Sequence, residues 1–439
     1  MRGKIVSFAF IFIFAFLPIC NFGQDLLIKN GTILTITKGT MPKTDILILG
    51  GIIKKIDKNI DAPKYVKIID ATGKYVMPGI IDAHTHIAIT EYIPNELEDP
   101  NTAEVNIRDV LNAEDPLIYE AVAGGVTMVH TMLGSHNPIT GQNAVLKLRW
   151  GRSVEEMICP DAYKTLKFAL GENPKRPNYF IPTSRYPHSR MGVIALIRRE
   201  FLKAKNYIEQ WDRYLKAKNI EKSSGNIIPP KKDLRMEALA DMLRGKILAR
   251  CHTYRADETL QFIRLSKELG FKIACFEHVS EAFKIAKELA IEGIPISIFL
   301  DVWSFKIESS EGIAYNAAYC TKKGVLVSLN SDGGVIMHNL FNEAAKAMKY
   351  GGLSEEESLK LITINPATQL GVDNIVGSLE VGKHGDIAVF KEHPLSIYTR
   401  CEMTIIDGEI YFDRAQYLKA QEEREKNKKE GEDGGDNEK

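Results

Sequence analysis

The sequence predicts an α/β fold, namely a (β/α)8 TIM-like barrel with a small composite β-sandwich domain built from both chain ends. Across residues 78–370, eight short apolar runs alternate with amphipathic segments, the pattern of a (β/α)8 barrel. Strand patterns broken by Asn-Gly and Gly-Gly occupy residues 25–77 and 371–414. Neither end has enough apolar surface to fold alone, so we expect the two ends to pair.

The eight predicted barrel strands are short and apolar, and most are followed by a helical pattern such as SEAFKIAKELAIEG. A doubly wound open sheet is the alternative fold, but no Gly-rich phosphate loop follows the first strand. The strand segments are GIIDAHTHI, VTMVHTM, AVLKLR, LKFALGE, KILARCHTY, KIACFEHV, IPISIFL and GVLVSLNSD.

Residues 1–24 have the pattern of a secretory signal peptide. Arg2 and Lys4 precede an apolar run of 15 residues that ends at Ile19, shorter than the roughly 20 residues of a membrane span. We therefore expect an exported protein of a bacterial periplasm or cell surface, with no stable membrane span after cleavage. Lipid attachment at Cys20 is a second possibility, although the preceding Leu17-Pro18-Ile19 lacks the usual small residue.

Two further segments interrupt the barrel plan. A helical insertion is predicted at about 185–232, between the fourth and fifth strands, where MGVIALIRREFLKAKNYIEQWDRYLKAKN has helical periodicity and dense charge. Residues 415–439 contain EEREKNKKEGEDGGDNEK, which has no apolar content, so we expect a disordered charged tail.

Composition favours a small-molecule substrate. The 57 basic and 57 acidic residues balance, which argues against a protein that coats nucleic acid or anionic lipid. The five cysteines after Cys20 show no CxxC spacing and lie in apolar contexts, so they read as small core residues. The sequence is also compatible with a homo-oligomer.

Five residues of metal-binding types fall at the ends of predicted strands. His84 and His86 end the first strand, and residues two apart on an extended segment face the same way. His252 ends strand five, His278 strand six and Asp332 strand eight. Side chains at the carboxyl ends of barrel strands converge on one mouth. Imidazoles and a carboxylate are the donors that a divalent transition metal prefers, with zinc the first choice.

These motifs resemble the amidohydrolase superfamily, in particular its imidazolonepropionase-like and prolidase-like branch. The resemblance rests on VMPGIIDAHTHI, the two later histidines, NSD followed by NPATQLGV, and GSLEVGKHGDIAVF, and it runs from about residue 26 to residue 412. It implies a metal-dependent hydrolase with one or two divalent ions surrounded by the five residues above. It also implies a β domain built from both chain ends.

In two-metal members of the superfamily, a strand-four glutamate or carbamylated lysine usually bridges the ions. Glu172 stands at the end of the fourth strand in FALGENPKR and is the preferred bridge, because a carboxylate can bind both ions unmodified. Lys147 is the competitor if strand three supplies a carbamylated lysine, and Lys175 is a weaker one.

The donors suggest a hydrolytic mechanism. A bound divalent ion lowers the pKa of a coordinated water toward about 7, so hydroxide can attack a carbonyl carbon at neutral pH. We expect Asp332 to accept the proton of the water and return it to the departing nitrogen, as a general base and then a general acid. With one metal, His278 would polarise the carbonyl oxygen.

Substrate-binding residues are predicted from their place at the barrel mouth. A guanidinium fork is well shaped to grip a substrate carboxylate, which favours the arginines of the insertion and of the loop after strand five. The candidates are His130, Arg185, Arg190, Tyr254 and Arg255.

The function predicted from the sequence is hydrolysis of a C–N bond in a cyclic amide, an imide or an acyl-amino-acid dipeptide. A deaminase is the alternative within enzymes, since Glu258 follows strand five, although not in the spacing of such families. A non-catalytic scaffold with the same fold is the alternative of another class. Scaffold relatives lose metal histidines, whereas every expected histidine is present here.

Overall fold

The computed structural model describes residues 23–90, 94–175, 185–220, 228–300 and 306–433. The segment predicted as a signal peptide lies outside these ranges up to residue 22. The strands are β1 (Leu26–Leu34), β2 (Thr40–Leu49), β3 (Ile52–Asp57), β4 (Lys67–Asp70), β5 (Tyr75–Pro78), β6 (Ile80–Thr85), β7 (Val126–Thr131), β8 (Ile139–Gln142), β9 (Ala144–Lys147), β10 (Thr165–Ala169), β11 (Leu248–His252), β12 (Ile273–Glu277), β13 (Ile296–Ile298), β14 (Val327–Leu329), β15 (Ile387–Phe390), β16 (Cys401–Ile406) and β17 (Glu409–Asp413).

The helices fall mainly between the barrel strands. Three short 3-10 helices cover Ile107–Val110, Ala282–Lys284 and Ile307–Ser309. The α-helices are α1 (Pro116–Ala123), α2 (Val154–Met157), α3 (Glu172–Lys175), α4 (Arg190–Ile220), α5 (Leu234–Leu243), α6 (Ala256–Leu269), α7 (Ala286–Glu292), α8 (Asn316–Lys322), α9 (Gly334–Met337), α10 (Leu340–Gly351), α11 (Glu355–Lys360), α12 (Ile364–Leu370) and α13 (Arg414–Asp433).

Strands from the two chain ends form one eight-stranded sheet in the order β17-β16-β15-β5-β1-β2-β3, with β4 on β1. Strand β15 pairs antiparallel with β5, so the late segment hydrogen-bonds directly to the early one. Successive apolar residues of β1 serve both faces of this sheet. Leu26 and Ile28 pack in one buried cluster, and Leu27 packs in another with Ile60 and Val66. Strands of the two ends therefore pair within a single sheet.

All eight segments predicted as barrel strands contain a strand. Strands β10 to β14 are parallel neighbours in chain order, and β6 pairs parallel with β7. The amide of Asp332, after β14, donates to the carbonyl of His84 at the end of β6 (3.1 Å). This bond brings the last strand back to the first at the end where the predicted metal ligands lie.

The third strand position departs from the all-parallel prediction. Strands β8 and β9 follow each other with only Asn143 between them, and β8 pairs antiparallel with β10 while β9 pairs antiparallel with β7. Residues 139–147 thus form one bent antiparallel run between β7 and β10. The reversal places the carboxyl end of β9 at the opposite end of the barrel from the carboxyl ends of its parallel neighbours.

The predicted insertion contains the long helix α4. Its buried residues recur at helical spacing, with Ile197, Phe201 and Ala204 facing the core. The Phe201 ring stacks on Phe271, with ring centroids 4.6 Å apart, and so packs the insertion against the loop before β12. The outer face of α4 carries the charge that the sequence showed.

The predicted disordered tail is a helix over much of its length. Helix α13 covers Arg414–Asp433, and residues 434–439 lie outside the described ranges. The Asp413 carboxylate accepts hydrogen bonds from the Ala415 and Gln416 amides (3.0 and 3.3 Å), which caps the helix start. Tyr417 packs on Phe412, with ring centroids 6.1 Å apart. Charged residues with high helix propensity then continue the helix into solvent, which the charge pattern alone did not reveal.

The cysteines after Cys20 are core residues, as the sequence predicts. Cysteines 159, 251, 275, 320 and 401 are all buried and unpaired by disulfides. Within the described ranges, no helix combines the length and apolar character needed to cross a bilayer.

Candidate metal centre

The first two histidines reach one site because β6 presents alternate residues to the barrel interior. Ile81 packs outside, in an apolar cluster with Met128 and Leu370, while His84 is completely buried inside. His86 follows the strand end and keeps 24% of its side chain exposed. The pair therefore spans from the buried interior to the open mouth.

Three imidazoles converge on one carboxylate oxygen. Asp332 Oδ1 lies 3.4 Å from His84 Nε2, 3.5 Å from His86 Nε2 and 3.4 Å from His278 Nε2. Potential ligand atoms of His84, His278 and Asp332 all lie within 4.8 Å of one another. This spacing is that of donors arranged around a common centre.

His252 completes the cluster beside His278, with ring centroids 4.9 Å apart. Within the described ranges, His252 Nε2 and His278 Nδ1 are buried without a hydrogen-bond partner. Buried polar atoms in native proteins are normally partnered. The unpartnered nitrogen of His252, together with the converging donors, fits a site built to hold a divalent metal ion.

Two ligand residues adopt unusual backbone conformations. His278 has φ +71° and Asp332 has φ +55°, in the left-handed region that residues with side chains rarely adopt. Glu277 and His278 are consecutive, yet both are buried next to His84, because the left-handed turn redirects the second side chain. Such local strain is typical of functional sites.

The protonation states suit metal binding. Burial lowers the pKa of His84 and His252 well below the usual histidine value, and it lowers the pKa of His278 to about 4. Burial alone would raise the pKa of Asp332, but the facing His278, His86 and His84 hold it well below its usual value. At neutral pH His84, His252 and His278 are thus neutral and the carboxylate is ionised, the forms that ligate metals.

Lys167 also belongs to this cluster, and the sequence analysis missed it. Its Nζ lies 2.9 Å from His84 Nε2, and the side chain is fully buried on β10. Burial lowers the pKa of Lys167 to about 8. The signal in the sequence was a lysine inside the apolar strand TLKFA, flanked by Leu166 and Phe168, which pack in the outer core. A charged residue between two outward apolar residues must face the barrel interior.

The predicted bridging residues Glu172 and Lys175 follow β10 on the same short helix. Glu172 begins α3 after β10, and its amide donates to Glu308 Oε2 (2.8 Å). Within the described ranges, no hydrogen bond joins the Glu172 side chain to a histidine of the cluster. Lys175 lies at the other end of the same short helix.

Lys147 lies away from the histidines because its strand is reversed. As the last residue of the antiparallel β9, it pairs in register with Met128, near the start of β7. Its Nζ is buried beside Asp386 Oδ2 (3.0 Å) and also contacts Asp407 and His384 Nδ1 (2.8 Å). The structure therefore corrects the expectation that Lys147 could compete as a bridging ligand.

The predicted substrate residues are placed unevenly. Tyr254 contacts the histidines directly, stacking on His278 with ring centroids 5.7 Å apart. His130 is completely buried, and its Nε2 pairs with Thr165 Oγ1 at 3.0 Å, so it lies within the barrel rather than at the mouth. Arg185 donates to the carbonyl of His136 (3.2 Å).

The other two arginines are engaged in ion pairs. Arg190 Nε lies 2.6 Å from Glu258 Oε1, and Arg190 Nη2 lies 3.3 Å from Glu308 Oε2. Arg255 pairs with Asp257 (2.9 Å), with 40% of its side chain exposed. A substrate carboxylate that used either guanidinium would have to compete with these acidic partners.

Two mouth residues were absent from the sequence prediction. Lys306 Nζ lies 4.1 Å from the centroid of the Tyr254 ring and 3.0 Å from Asn173 Oδ1. Phe299 stacks on His278, with ring centroids 4.5 Å apart. Both follow β13 on a segment that carried no motif, so only the packing around Tyr254 and His278 identifies them.

A barrel that gathers histidines and an aspartate at its strand ends, beside a buried lysine, has the arrangement expected of a metal-dependent hydrolase barrel. Residues 248–411 match the amidohydrolase family profile. The crystal structure of an amidohydrolase from Thermotoga maritima MSB8 is 38% identical with a TM-score of 0.80, covering 88% of this chain and all of that one. The chain belongs to the amidohydrolase family.

Curated relatives agree with this membership. Amidohydrolase tasK of Hapsidospora irregularis is 30% identical over 395 residues, which cover 84% of this chain and 40% of tasK. The chain thus spans less than half the length of that relative. A dihydroorotase of Aquifex aeolicus (strain VF5) is 24% identical over 408 residues, covering 83% of this chain and 89% of the relative. These names support the prediction of a hydrolase that acts on carbon–nitrogen bonds.

Proposed function

We propose that this chain is a metal-dependent amidohydrolase that hydrolyses a C–N bond in a cyclic amide, an imide or an acyl-amino-acid dipeptide. One observation carries the proposal: Asp332 Oδ1 lies within 3.5 Å of three imidazole nitrogens at the barrel mouth, beside a buried lysine. Four imidazoles and a carboxylate form a donor set suited to zinc. The relative named dihydroorotase supports the cyclic amide class.

The residues that would hold the metal divide into an open and a buried group. His86 and Asp332 keep 24% and 40% of their side chains exposed, whereas His84, His252 and His278 are buried. When bound, a divalent ion lowers the pKa of a coordinated water toward about 7. The exposed side of the cluster faces the approaching substrate.

Lys167 replaces Glu172 as the proposed bridging residue. The superfamily resemblance calls for a carboxylate bridge, and a lysine can supply one by carbamylation. In that step the neutral Nζ attacks the carbon of CO2, an N–C bond forms, one C=O π bond breaks with its electron pair going to oxygen, and one proton leaves the nitrogen for solvent. A pKa of about 8 leaves part of the amine neutral at pH 7 to 8, which permits the step. The product carboxylate would extend from Lys167 past His84 Nε2.

Asp332 is the proposed proton carrier. Its carboxylate is ionised at neutral pH and partly open to the mouth, so it can take the proton of an attacking water and deliver it to the departing nitrogen. His278 is held between the rings of Phe299 and Tyr254, which fixes the imidazole beside Asp332. Tyr254, under Lys306, lines the side of the cluster where substrate would enter.

The test combines metal analysis with a substrate panel. Protein purified without chelator is analysed for bound metal, and then assayed on dihydropyrimidines, hydantoins, acyl-amino acids and dipeptides for new carboxylate groups. We expect at least one equivalent of divalent metal, and activity that a chelator abolishes and zinc restores. Protein that binds no divalent metal under any loading condition would overturn the proposal and favour a scaffold role.

A deaminase remains the second candidate because of one residue. Glu258 on α6 is mostly buried, and burial raises its pKa, as expected of a carboxyl that donates a proton. Its partner is Arg190, however, at 2.6 Å. Ammonia release without a new carboxylate, on aminopurine and aminopyrimidine substrates, would favour this reading over amide hydrolysis.

We also propose that the protein is exported from a bacterial cell. The support is the charge and apolar pattern of residues 1–24. The N-terminus of the protein recovered from its native membrane and periplasmic fractions tests this. A start near Gln24 supports cleavage, a lipid on Cys20 supports anchoring, and an intact Met1 in the cytoplasm would contradict export.

A further inference from the structure

A fully buried ion pair lies inside the barrel directly beneath the histidine cluster. Arg250 on β11 and Glu277 on β12 both have side chains with no exposure, and Arg250 Nε lies 2.6 Å from Glu277 Oε1. Taking two charges out of water is costly, and such pairs are often no more stabilising than apolar residues of the same volume. Stability alone therefore does not explain this ion pair.

The second oxygen of the same carboxylate contacts a proposed metal ligand. Glu277 Oε2 lies 3.2 Å from His84 Nδ1, so the imidazole N–H at Nδ1 donates to the carboxylate. His84 Nε2 is then left as the lone-pair nitrogen, and this atom faces Asp332 Oδ1 and Lys167 Nζ. The hydrogen bond thus selects the tautomer that can bind metal.

The arginine fixes the position of the carboxylate. Arg250 Nη2 donates to the carbonyl of Ala83 (3.3 Å), the residue before His84 on β6. Strands β6 and β12 do not neighbour each other in either sheet, so Arg250 links them across the barrel interior. Its charge also compensates the Glu277 carboxylate, which would otherwise be a lone buried anion.

His86 provides an internal comparison. Its Nδ1 donates to the main-chain carbonyl of Met132 (2.7 Å), which selects a tautomer without adding negative charge. His84 instead has a charged acceptor, which raises the basicity of the opposite nitrogen more than a neutral carbonyl does. Of these two histidines, only His84 is hydrogen-bonded at Nδ1 to a buried carboxylate, and His84 is also the one that contacts Lys167.

We propose that Glu277 and Arg250 are positioning residues, in which Glu277 orients and polarises His84 for metal binding and Arg250 holds the Glu277 carboxylate in place. This inference rests on the proposed function, because it assumes that His84 binds metal.

The test compares single and paired neutral variants by metal affinity. Glu277→Gln removes the charge at similar volume but leaves Arg250 uncompensated, so it is expected to lower both Tm and metal affinity. The double variant Arg250→Met with Glu277→Gln removes both charges and is expected to recover much of the lost Tm. If Glu277 polarises His84, the double variant still binds Co²⁺ about 10- to 100-fold more weakly than wild type.

Visible absorption of bound Co²⁺ gives a readout that activity does not. We expect the double variant to shift the Co²⁺ bands, because the His84 ligand field changes, while Arg250→Lys keeps bands and affinity closer to wild type. Arg152→Met is the control: it breaks the ion pair of Arg152 with Glu409 on β17 (3.0 Å), away from the cluster, so Tm falls but Co²⁺ affinity does not.

Co²⁺ binding by the wild type and by the double variant separates the proposed function from the role of Glu277 and Arg250. Wild-type protein that binds no Co²⁺ contradicts the proposed function itself. Wild-type protein that binds Co²⁺, with a folded double variant of equal affinity and unchanged bands, contradicts only the role of Glu277 and Arg250.

Discussion

The Nζ atom of Lys167 lies 2.9 Å from Nε2 of His84, in the barrel interior where both side chains are fully buried. The Lys167 ammonium can donate to the lone pair of His84 Nε2, but one such hydrogen bond offsets only part of the cost of burying a lysine charge. The spacing therefore identifies Lys167 as part of the centre formed by the strand-end histidines. Burial lowers the pKa of the Lys167 amine to about 8, so part of the amine is neutral and nucleophilic near neutral pH.

Replacing Lys167 should remove the bridging group. Lys167→Met keeps the length and apolar stem of the side chain but cannot be carbamylated. If Lys167 bridges two ions in the wild type, we expect metal content to fall from two equivalents to one or fewer, and turnover to fall more than about 100-fold. Metal analysis and steady-state kinetics on the same preparation measure both.

Glu172→Gln is the control for this experiment. Glu172 touches Glu308 through its backbone amide, which the substitution preserves, so metal content and turnover should stay near wild type. If Glu172→Gln loses metal and Lys167→Met does not, the bridge is the glutamate after all.

Asp332→Asn should separate proton transfer from metal retention. The amide keeps the shape of the side chain near His84, His86 and His278 but cannot accept the proton of an attacking water at its usual strength. We expect turnover to fall by at least about two orders of magnitude, with metal content largely intact. Activity close to wild type would show that another group carries the proton.

Strand periodicity and strand ends were enough to predict which side chains come together at the candidate site. The positions of His84, His252 and Asp332 at strand ends could be predicted because each is a polar residue that closes an apolar run. The convergence then follows from barrel geometry, since parallel strands share one carboxyl end. Family membership was predicted from the same motifs and is confirmed by the comparisons.

The misplaced residues share a different cause. Lys147 was assigned to the mouth because direction cannot be read from a strand pattern, and β9 is antiparallel. Lys167 lies in the interior of β10, so a prediction based on the ends of strands does not include it. Arg250 and Glu277 carried no motif at all, since a buried ion pair is recognisable only when two strands are seen side by side. The high charge of residues 415–439 predicted disorder, but the segment begins as a helix that Asp413 caps and that Tyr417 packs against Phe412.

Metal removal should lower stability as well as activity. A ligand present at about 1,000 times its dissociation constant stabilises the native state by about 4 kcal/mol. We expect chelator-treated protein to melt at a lower temperature, and added Zn²⁺ to restore the original Tm in differential scanning calorimetry. His86→Ala, which removes one donor, should show a smaller Zn²⁺-induced rise. An identical rise in that variant would place the stabilising metal elsewhere.

Acid should weaken the junction between the barrel and the sheet of both chain ends through Asp407. Burial alone would raise the pKa of this carboxyl, but His384, Lys147 and Arg149 hold it well below the usual value. A group whose pKa is lowered on folding stabilises the protein above its unfolded pKa of about 3.9, and the contribution is lost as pH falls toward the folded pKa. Asp407→Asn loses charge-assisted bonds from Lys147 and Arg149, so we expect it to reduce the free energy of unfolding at pH 7 by about 1.5 to 3 kcal/mol.

The difference between wild type and Asp407→Asn should therefore stay constant from pH 7 to about 5 and shrink below about pH 4. Urea unfolding across this range measures it. Asp61→Asn, at an exposed position, should match wild type throughout. A difference that grew as pH fell would mean that Asp407 binds its proton more readily in the folded protein, contrary to the ion pairs around it.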